Sequence, residues 1–159
     1  MVQIQFLADA PEHVDQLADW HHAQWQHLYS AWSHETARAE LLAHAQCKTL
    51  PTTLVLIENN ILLGSVSLVE EDAAQLNFIG SPWLASLYVK LSERGRGLGA
   101  ELVKAIMVHA KKMSIEKTFL FTPEHKTFYQ QLGWKEFRQE SLNGLNVDVL
   151  TFNTSELAA

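Results

Sequence analysis

The residues with the clearest chemical potential are Arg94-Gly95-Arg96-Gly97-Leu98-Gly99-Ala100, set between an apolar run and an amphipathic one. Glycines let a backbone adopt positive φ and approach a ligand closely. The free N–H groups at a helix start, with the helix dipole, bind phosphate oxygens. Arg94 and Arg96 would add charge-assisted donors. Seven of the chain's twelve lysines and arginines lie in 90–117, which fits a polyphosphate ligand. The plainer alternative is a glycine-rich turn with solvated arginines.

A competing motif overlaps it. Gly95-x-Gly97-x-x-Ala100 also satisfies a dinucleotide fingerprint, with Glu124 as its downstream acid, and would make the chain a Rossmann-type oxidoreductase binding NAD. The loop, however, sits mid-chain behind antiparallel hairpins, and only one βαβ unit can be drawn. That option ranks second.

Other chemistry-bearing residues cluster near the amino terminus. Six of eight histidines and three of five tryptophans lie in 11–46. No His-x-x-x-His pair occurs and no carboxylate completes a metal triad at helical spacing, so no metal is expected. The one cysteine, Cys47, excludes an internal disulfide and a cysteine-based zinc cluster. It has no histidine–acid setting to make it a nucleophile and reads as packed or incidental.

The elements that must position these residues follow from periodicity. Val2, Ile4 and Phe6 alternate with Gln3 and Gln5 as a half-buried strand. Helical spacing covers 11–30, and a second helix fits 33–46 with Ser33 as N-cap. Strands at 54–57 and 61–69 are joined by Asn59-Asn60, a pair that tolerates the positive φ of a tight turn. Glu70-Glu71-Asp72 opens a polar loop running to Pro82, and 83–89 is an apolar central strand. A helix over 98–113 turns Leu98, Leu102, Ala105, Ile106, His109 and Met113 to one face. Phe119-Leu120-Phe121 is a short buried strand. A helix with Pro123 at its first position follows, and Gly133 ends it. Strands at 134–139 and 145–152 flank Asn143-Gly144. The order β-α-α-β-β-β-α-β-α-β-β predicts a mixed α/β fold of α+β type, with six to seven strands in a central mixed sheet and about four helices.

Composition narrows the class. The chain has 159 residues, is 47% hydrophobic, and carries a net charge of −6. It can bury a core as one domain, and its charge disfavours nucleic acid or an anionic membrane as partner. Asp9, Glu12 and Asp15 interrupt any signal peptide, and no apolar run approaches a membrane span, so a cytoplasmic location is expected. The charge is uneven. Residues 1–89 hold two bases against ten acids, whereas 90–159 hold ten bases against eight. An anionic ligand belongs with the second part.

Taken together, these residues resemble the GNAT superfamily of acetyl-CoA-dependent N-acetyltransferases. Arg94-x-x-Gly97-x-Gly99 is similar to its Gln/Arg-x-x-Gly-x-Gly/Ala loop. Phe128-Tyr129-Gln130-Gln131-Leu132-Gly133-Trp134 is similar to its Phe-Tyr-x-x-x-Gly-Phe segment, about 30 residues on. The resemblance implies a GNAT-like domain over 1–154, with 155–159 a frayed tail, and acetyl transfer from acetyl-CoA to a primary amine in a ternary complex. By it, the N–H groups of Arg94, Gly95, Arg96, Gly97, Leu98, Gly99 and Ala100 would hold the pyrophosphate. Leu87, Tyr88 and Val89 would pair with pantetheine where their strand splays from 119–122, with Thr122 replacing an asparagine common in the family. Tyr129 would protonate the departing thiolate. Trp25, Tyr29 and Trp32, with Trp83, would wall the acceptor site. The partner would be a small-molecule or peptide amine, and a homodimer stays open. Where many members carry a basic glutamate this chain has Trp83, so the base is expected to be a histidine, a water wire or nothing, and a low-pKa amine or solvent-mediated deprotonation is favoured. Deprotonating a lysine-type amine at pH 7 costs about 4.6 kcal/mol, against about 1.4 for an α-amine. A non-catalytic CoA-binding module is the further alternative.

Overall fold

The computed structural model describes residues 1–29 and 31–157. Ser30, where the first helix was expected to end, and the last two residues of the expected tail lie outside them. Among the described residues, seven strands form one mixed sheet with four α-helices. In chain order these are β1 (Val2–Phe6), α1 (Val14–Trp25), α2 (His34–His44), β2 (Thr52–Glu58), β3 (Ile61–Val69) and β4 (Trp83–Val89). Then come α3 (Leu98–Lys112), β5 (Lys117–Thr122), α4 (Lys126–Gln131), β6 (Lys135–Leu142) and β7 (Leu145–Asn153). The strand order is β1-β2-β3-β4-β5-β7-β6, and only β4 and β5 run parallel.

Period-two alternation in β2 explains the layering. Leu54 and Leu56 point into one core with Leu102, Ile106 and Met107 of α3. Val55 and Ile57 point the other way, into a core with Leu17 of α1 and Leu41 of α2. Because both faces are covered, β2 reads as a continuous apolar run.

Local signals account for several boundaries. Ser33 Oγ accepts the Thr36 N–H at 3.1 Å, capping α2. Asn59 and Asn60 take φ of 53° and 66° in the β2–β3 turn. Elsewhere tertiary context shifts the limits. Helix α1 stops at Trp25 and tightens into a 3-10 turn, Gln26–Leu28. Pro123 does not begin α4. Thr122 Oγ1 accepts the N–H groups of Glu124 and His125, at 3.4 and 3.0 Å, and turns the chain before the helix can form. The buried stripe of α3 includes Val103, Met107 and Ala110, whereas His109 sits half-buried at its margin against Phe6. Residues 154–156, expected partly as frayed tail, form a 3-10 turn in which Thr154 Oγ1 donates to Ile115 O at 2.6 Å. Leu157 packs on the core beside it.

Trp83 departs from its expected role. It is 0% exposed, donates its Nε1–H to Gly80 O at 2.8 Å, and packs on Phe119 and Phe121. The first residue of β4 is therefore core, not acceptor wall. Among the described residues, no helix is long and apolar enough to cross a membrane.

Candidate functional site

A cavity of about 580 Å³ opens where β4 leaves β5. The two strands share one register position, Trp83 opposite Phe119, and then diverge. Residues 84–89 line one side of the gap, and Leu120, Phe121 and Thr122 line the other. A bulge aids the divergence. The β3–β4 register breaks between Ser65 and Ser67, and Ser86 on β4 takes φ of 55°. Ser65 Oγ donates to Ser86 O at 3.3 Å, and His21 Nε2 lies 2.9 Å from the same hydroxyl. Since that hydroxyl spends its one proton on Ser86, His21 must donate through Nε2–H. Burial, with a smaller contribution from His44, pushes His21 down to about 3. The ring stays neutral and braces the bulge from behind.

At the end of β4 the chain makes a 3-10 turn, Leu91–Glu93, and enters α3 through Gly95 and Gly97, with φ of 86° and 77°. A Cβ at either would meet nothing within 4 Å, so both glycines answer to backbone conformation and leave the adjoining space open. Among the described residues, no N–H of residues 95–100 donates to a backbone carbonyl. Arg94 arches back, its Nε donating to Val89 O at 2.8 Å and its guanidinium 5.3 Å from the Tyr88 ring centroid. Arg96 points elsewhere. Its Nη1 lies 2.6 Å from Glu93 and 3.6 Å from Glu58, and it does not line the cavity.

The opposite end is aromatic and acidic. Trp25, Tyr29 and Trp32 line it, Trp25 meeting Tyr88 edge-on at 6.2 Å and Tyr29 meeting Trp32 at 5.9 Å. Glu40 of α2 accepts the Trp32 Nε1–H at 3.0 Å. Asp72, from the loop after β3, also lines the cavity. Burial first, then the charge of Glu40, raises its carboxyl to about 7. Burial also raises Glu40, although the bond from Trp32 opposes this. Tyr129 of α4 is 8% exposed, and burial and then Asp72 push its phenol well above the ordinary value. Tyr29 is driven the same way, by burial, Asp72 and Glu40.

The fold thus gathers Trp25, Tyr29, Leu87, Tyr88, Val89, Arg94, Gly95, Gly97, Leu98, Gly99, Ala100, Thr122 and Tyr129 around one space. It leaves out Arg96 and Trp83. It adds Glu40, Asp72, Ser86 and His125, which the sequence did not single out. Glu40 reads locally as a solvated helix residue, and Asp72 as the third acid of a polar loop. No local signal separates either from its neighbours. β4 itself brings no carboxylate, and Asp72 reaches the cavity from outside that strand.

The shift of Asp72 has a thermodynamic consequence. Its native carboxyl holds a proton that the unfolded chain, at 3.8, has already lost. Between pH 4 and 7 the native state therefore binds more protons, and this group's contribution to stability falls as pH rises. The difference of about 3 units corresponds to an upper value of roughly 4 kcal/mol. Asp72→Asn removes the titration, so its denaturant-derived stability should gain on wild type across that window, with most of the gain complete by pH 8. Parallel pH curves for the two proteins would contradict the buried setting of Asp72.

Comparison with known proteins agrees with this architecture. Residues 14–134 match the sequence model of the acetyltransferase (GNAT) family. No curated protein matches the chain in sequence. Among solved structures, the chain is similar to aminoglycoside 6'-acetyltransferase type Ii, with a TM-score of 0.73, 18% identity and 97% of each chain covered. It is also similar to an aminoglycoside 6'-N-acetyltransferase complexed with coenzyme A (TM-score 0.74, 15% identity, 100% of this chain and 99% of that one). An N-acetyltransferase from Staphylococcus aureus Mu50 gives a TM-score of 0.74 at 15% identity, over 97% of this chain and 99% of that one. These likenesses carry the fold, and the family match covers most of the chain. With the strand splay, the glycine turn and the Tyr129 helix in place, the chain belongs to the acetyltransferase (GNAT) family and is an acyltransferase.

Proposed function

We propose that this protein moves an acetyl group from acetyl-CoA to a primary amine by direct attack in a ternary complex. The observation that carries this reading is the two-ended cavity. Unpaired N–H groups and Arg94 lie at one end, two carboxylates at the other, and Tyr129 lines the same space.

The residues present fit acetyl-CoA. The N–H groups of residues 95–100 lie at the start of α3, where the helix dipole favours an anion, and the open space beside Gly95 and Gly97 admits phosphate oxygens. Residues 87–89 border the gap between the strands, where an extended pantetheine arm would add as a partial strand. Arg96, held by Glu93 and Glu58, contributes its main-chain N–H and not its guanidinium. When bound, acetyl-CoA supplies an activated thioester carbonyl.

At the other end Asp72 takes the proton from the attacking ammonium. Transfer from an amine of pKa near 10.4 to an ordinary carboxylate near 3.8 would be uphill by about 9 kcal/mol. With Asp72 at about 7 the cost falls to about 4.6 kcal/mol. That equals the cost of deprotonating the same amine into solvent at pH 7, so Asp72 supplies a proton acceptor inside the cavity while a low-pKa amine stays the easier substrate. The new N–C bond forms as the C–S bond breaks, and the leaving sulfur carries the electron pair. Tyr129 keeps its proton under all working conditions because burial and Asp72 hold it there. Full transfer to a thiolate near 8.5 would be uphill by more than the ~2 kcal/mol an unperturbed phenol implies. Tyr129 is therefore a hydrogen-bond donor to the departing sulfur, which takes its proton from solvent on release. The presence of Asp72 also removes the ground for a non-catalytic module.

Three outcomes test this reading. Arg94→Glu should weaken acetyl-CoA binding at least tenfold by calorimetry, and equal affinity would refute the loop assignment. Tyr129→Phe should lower kcat by about 10²-fold with the melting temperature little changed; an unaltered kcat removes the donor role. For wild type, kcat/KM should rise with pH through an apparent pKa near 7, and Asp72→Asn should lose that limb along with most of the rate. Persistence of the limb in the variant would assign the base elsewhere.

A further inference from the structure

The acidic end holds one carboxylate more than the reaction needs. Glu40 and Asp72 come from different elements, α2 and the loop after β3, yet line the same cavity. Neither makes an ion pair among the described residues. Arg94 lies with the glycine turn, its Nε donating to Val89 O, and forms no ion pair with either acid.

A reacting amine neutralises only one of these acids. As it attacks, its proton passes to Asp72, which becomes neutral. Glu40, solvent-exposed yet lining the same cavity, has no cationic partner there among the described residues, so a second cation carried by the substrate would meet it unopposed. Its position is set by the Trp32 Nε1–H, which fixes one carboxylate oxygen and leaves further acceptor capacity free. Around it stand the rings of Trp25, Tyr29 and Trp32. Indole and phenol faces attract ammonium groups, most strongly where water is excluded.

We propose that the acceptor is a dication or polycation, its reacting amine facing Asp72 and its second ammonium seated between Glu40 and the Trp25–Tyr29–Trp32 wall. This rests on the N-acetyltransferase reading and adds a specificity-determining residue, Glu40. Linear polyamines and amino sugars present the same chemistry, two amines within one small molecule, and the two sources are separated by assay.

The test compares pairs matched in length: butylamine with 1,4-diaminobutane, hexylamine with 1,6-diaminohexane, and cyclohexylamine with a multiply aminated aminocyclitol sugar. Direct binding in the presence of coenzyme A is measured by calorimetry, and KM by thiol release. The diamine of the better-fitting length, or the amino sugar, should bind at least tenfold tighter than its monoamine, about 1.4 kcal/mol. In Glu40→Gln, whose amide oxygen can still accept from Trp32, that ratio should fall toward one, and Glu40→Asp should restore part of it. Equal affinities for monoamine and diamine in wild type would overturn the proposal, as would a ratio that Glu40→Gln leaves unchanged. Either result with acetylation of monoamines intact leaves the transferase reading standing. Absence of acetyl-CoA binding and of turnover with every amine sinks the transferase reading instead, and the amine-binding ratio then still decides the dication question by itself.

Discussion

The organisation of this molecule depends on two parallel strands that meet once and separate. Beyond the Trp83–Phe119 position, β4 and β5 no longer pair, so backbone groups inside the sheet face a gap. Unpaired backbone groups away from water cost about as much as a lost hydrogen bond each. The protein tolerates this because the gap is open, and because aromatic packing closes the sheet where the strands still touch. The Ser86 bulge, braced by Ser65 and the neutral His21 ring, bends β4 at the parting point. The same divergence lets the end of β4 deliver the glycine turn, and with it the start of α3, to the mouth of the gap.

Electrostatics gives the cavity a direction. The basic turn follows the end of β4, whereas the Asp72 loop leaves β3 beside Trp83, at the start of β4. Of the ten acids before residue 90, only Glu40 and Asp72 line the cavity. Several others are paired on the surface, Asp15 with Arg38, Asp19 with His34 and Asp9 with Lys48. Such exposed pairs contribute little. The carboxylate that matters most is Asp72, withdrawn from water and further discouraged from ionising by the charge of Glu40. Holding Asp72 near neutrality costs stability above pH 4 and suits a group that must accept a proton near pH 7. Perturbed acids are common at functional sites for this reason.

Much of the frame was legible in short stretches of sequence. Gly95 and Gly97 marked a turn that needs positive φ, Asn59-Asn60 a tight hairpin, and Ser33 a helix start, because each is decided by backbone geometry within a few residues. Trp25 at the end of α1, with Tyr29 and Trp32 beyond it, lines the cavity, a placement that the family resemblance and not helical spacing implied. Arg96 was legible as a cation but not as one already engaged by Glu58, 38 positions away.

Sequence by itself determined the order of elements and the glycine turn, written in local patterns of φ, periodicity and capping, whereas Tyr129 was singled out only by the family resemblance of its segment. Only the tertiary structure decided that Trp83 is core, because an apolar strand reads alike whichever neighbours cover it. It alone brought Glu40 to Asp72 across 32 positions of chain and turned a loop acid into a group that holds its proton near pH 7. That difference follows from range. Turn and helix signals act over a few residues, whereas burial and charge coupling depend on which distant surfaces the folded sheet places face to face.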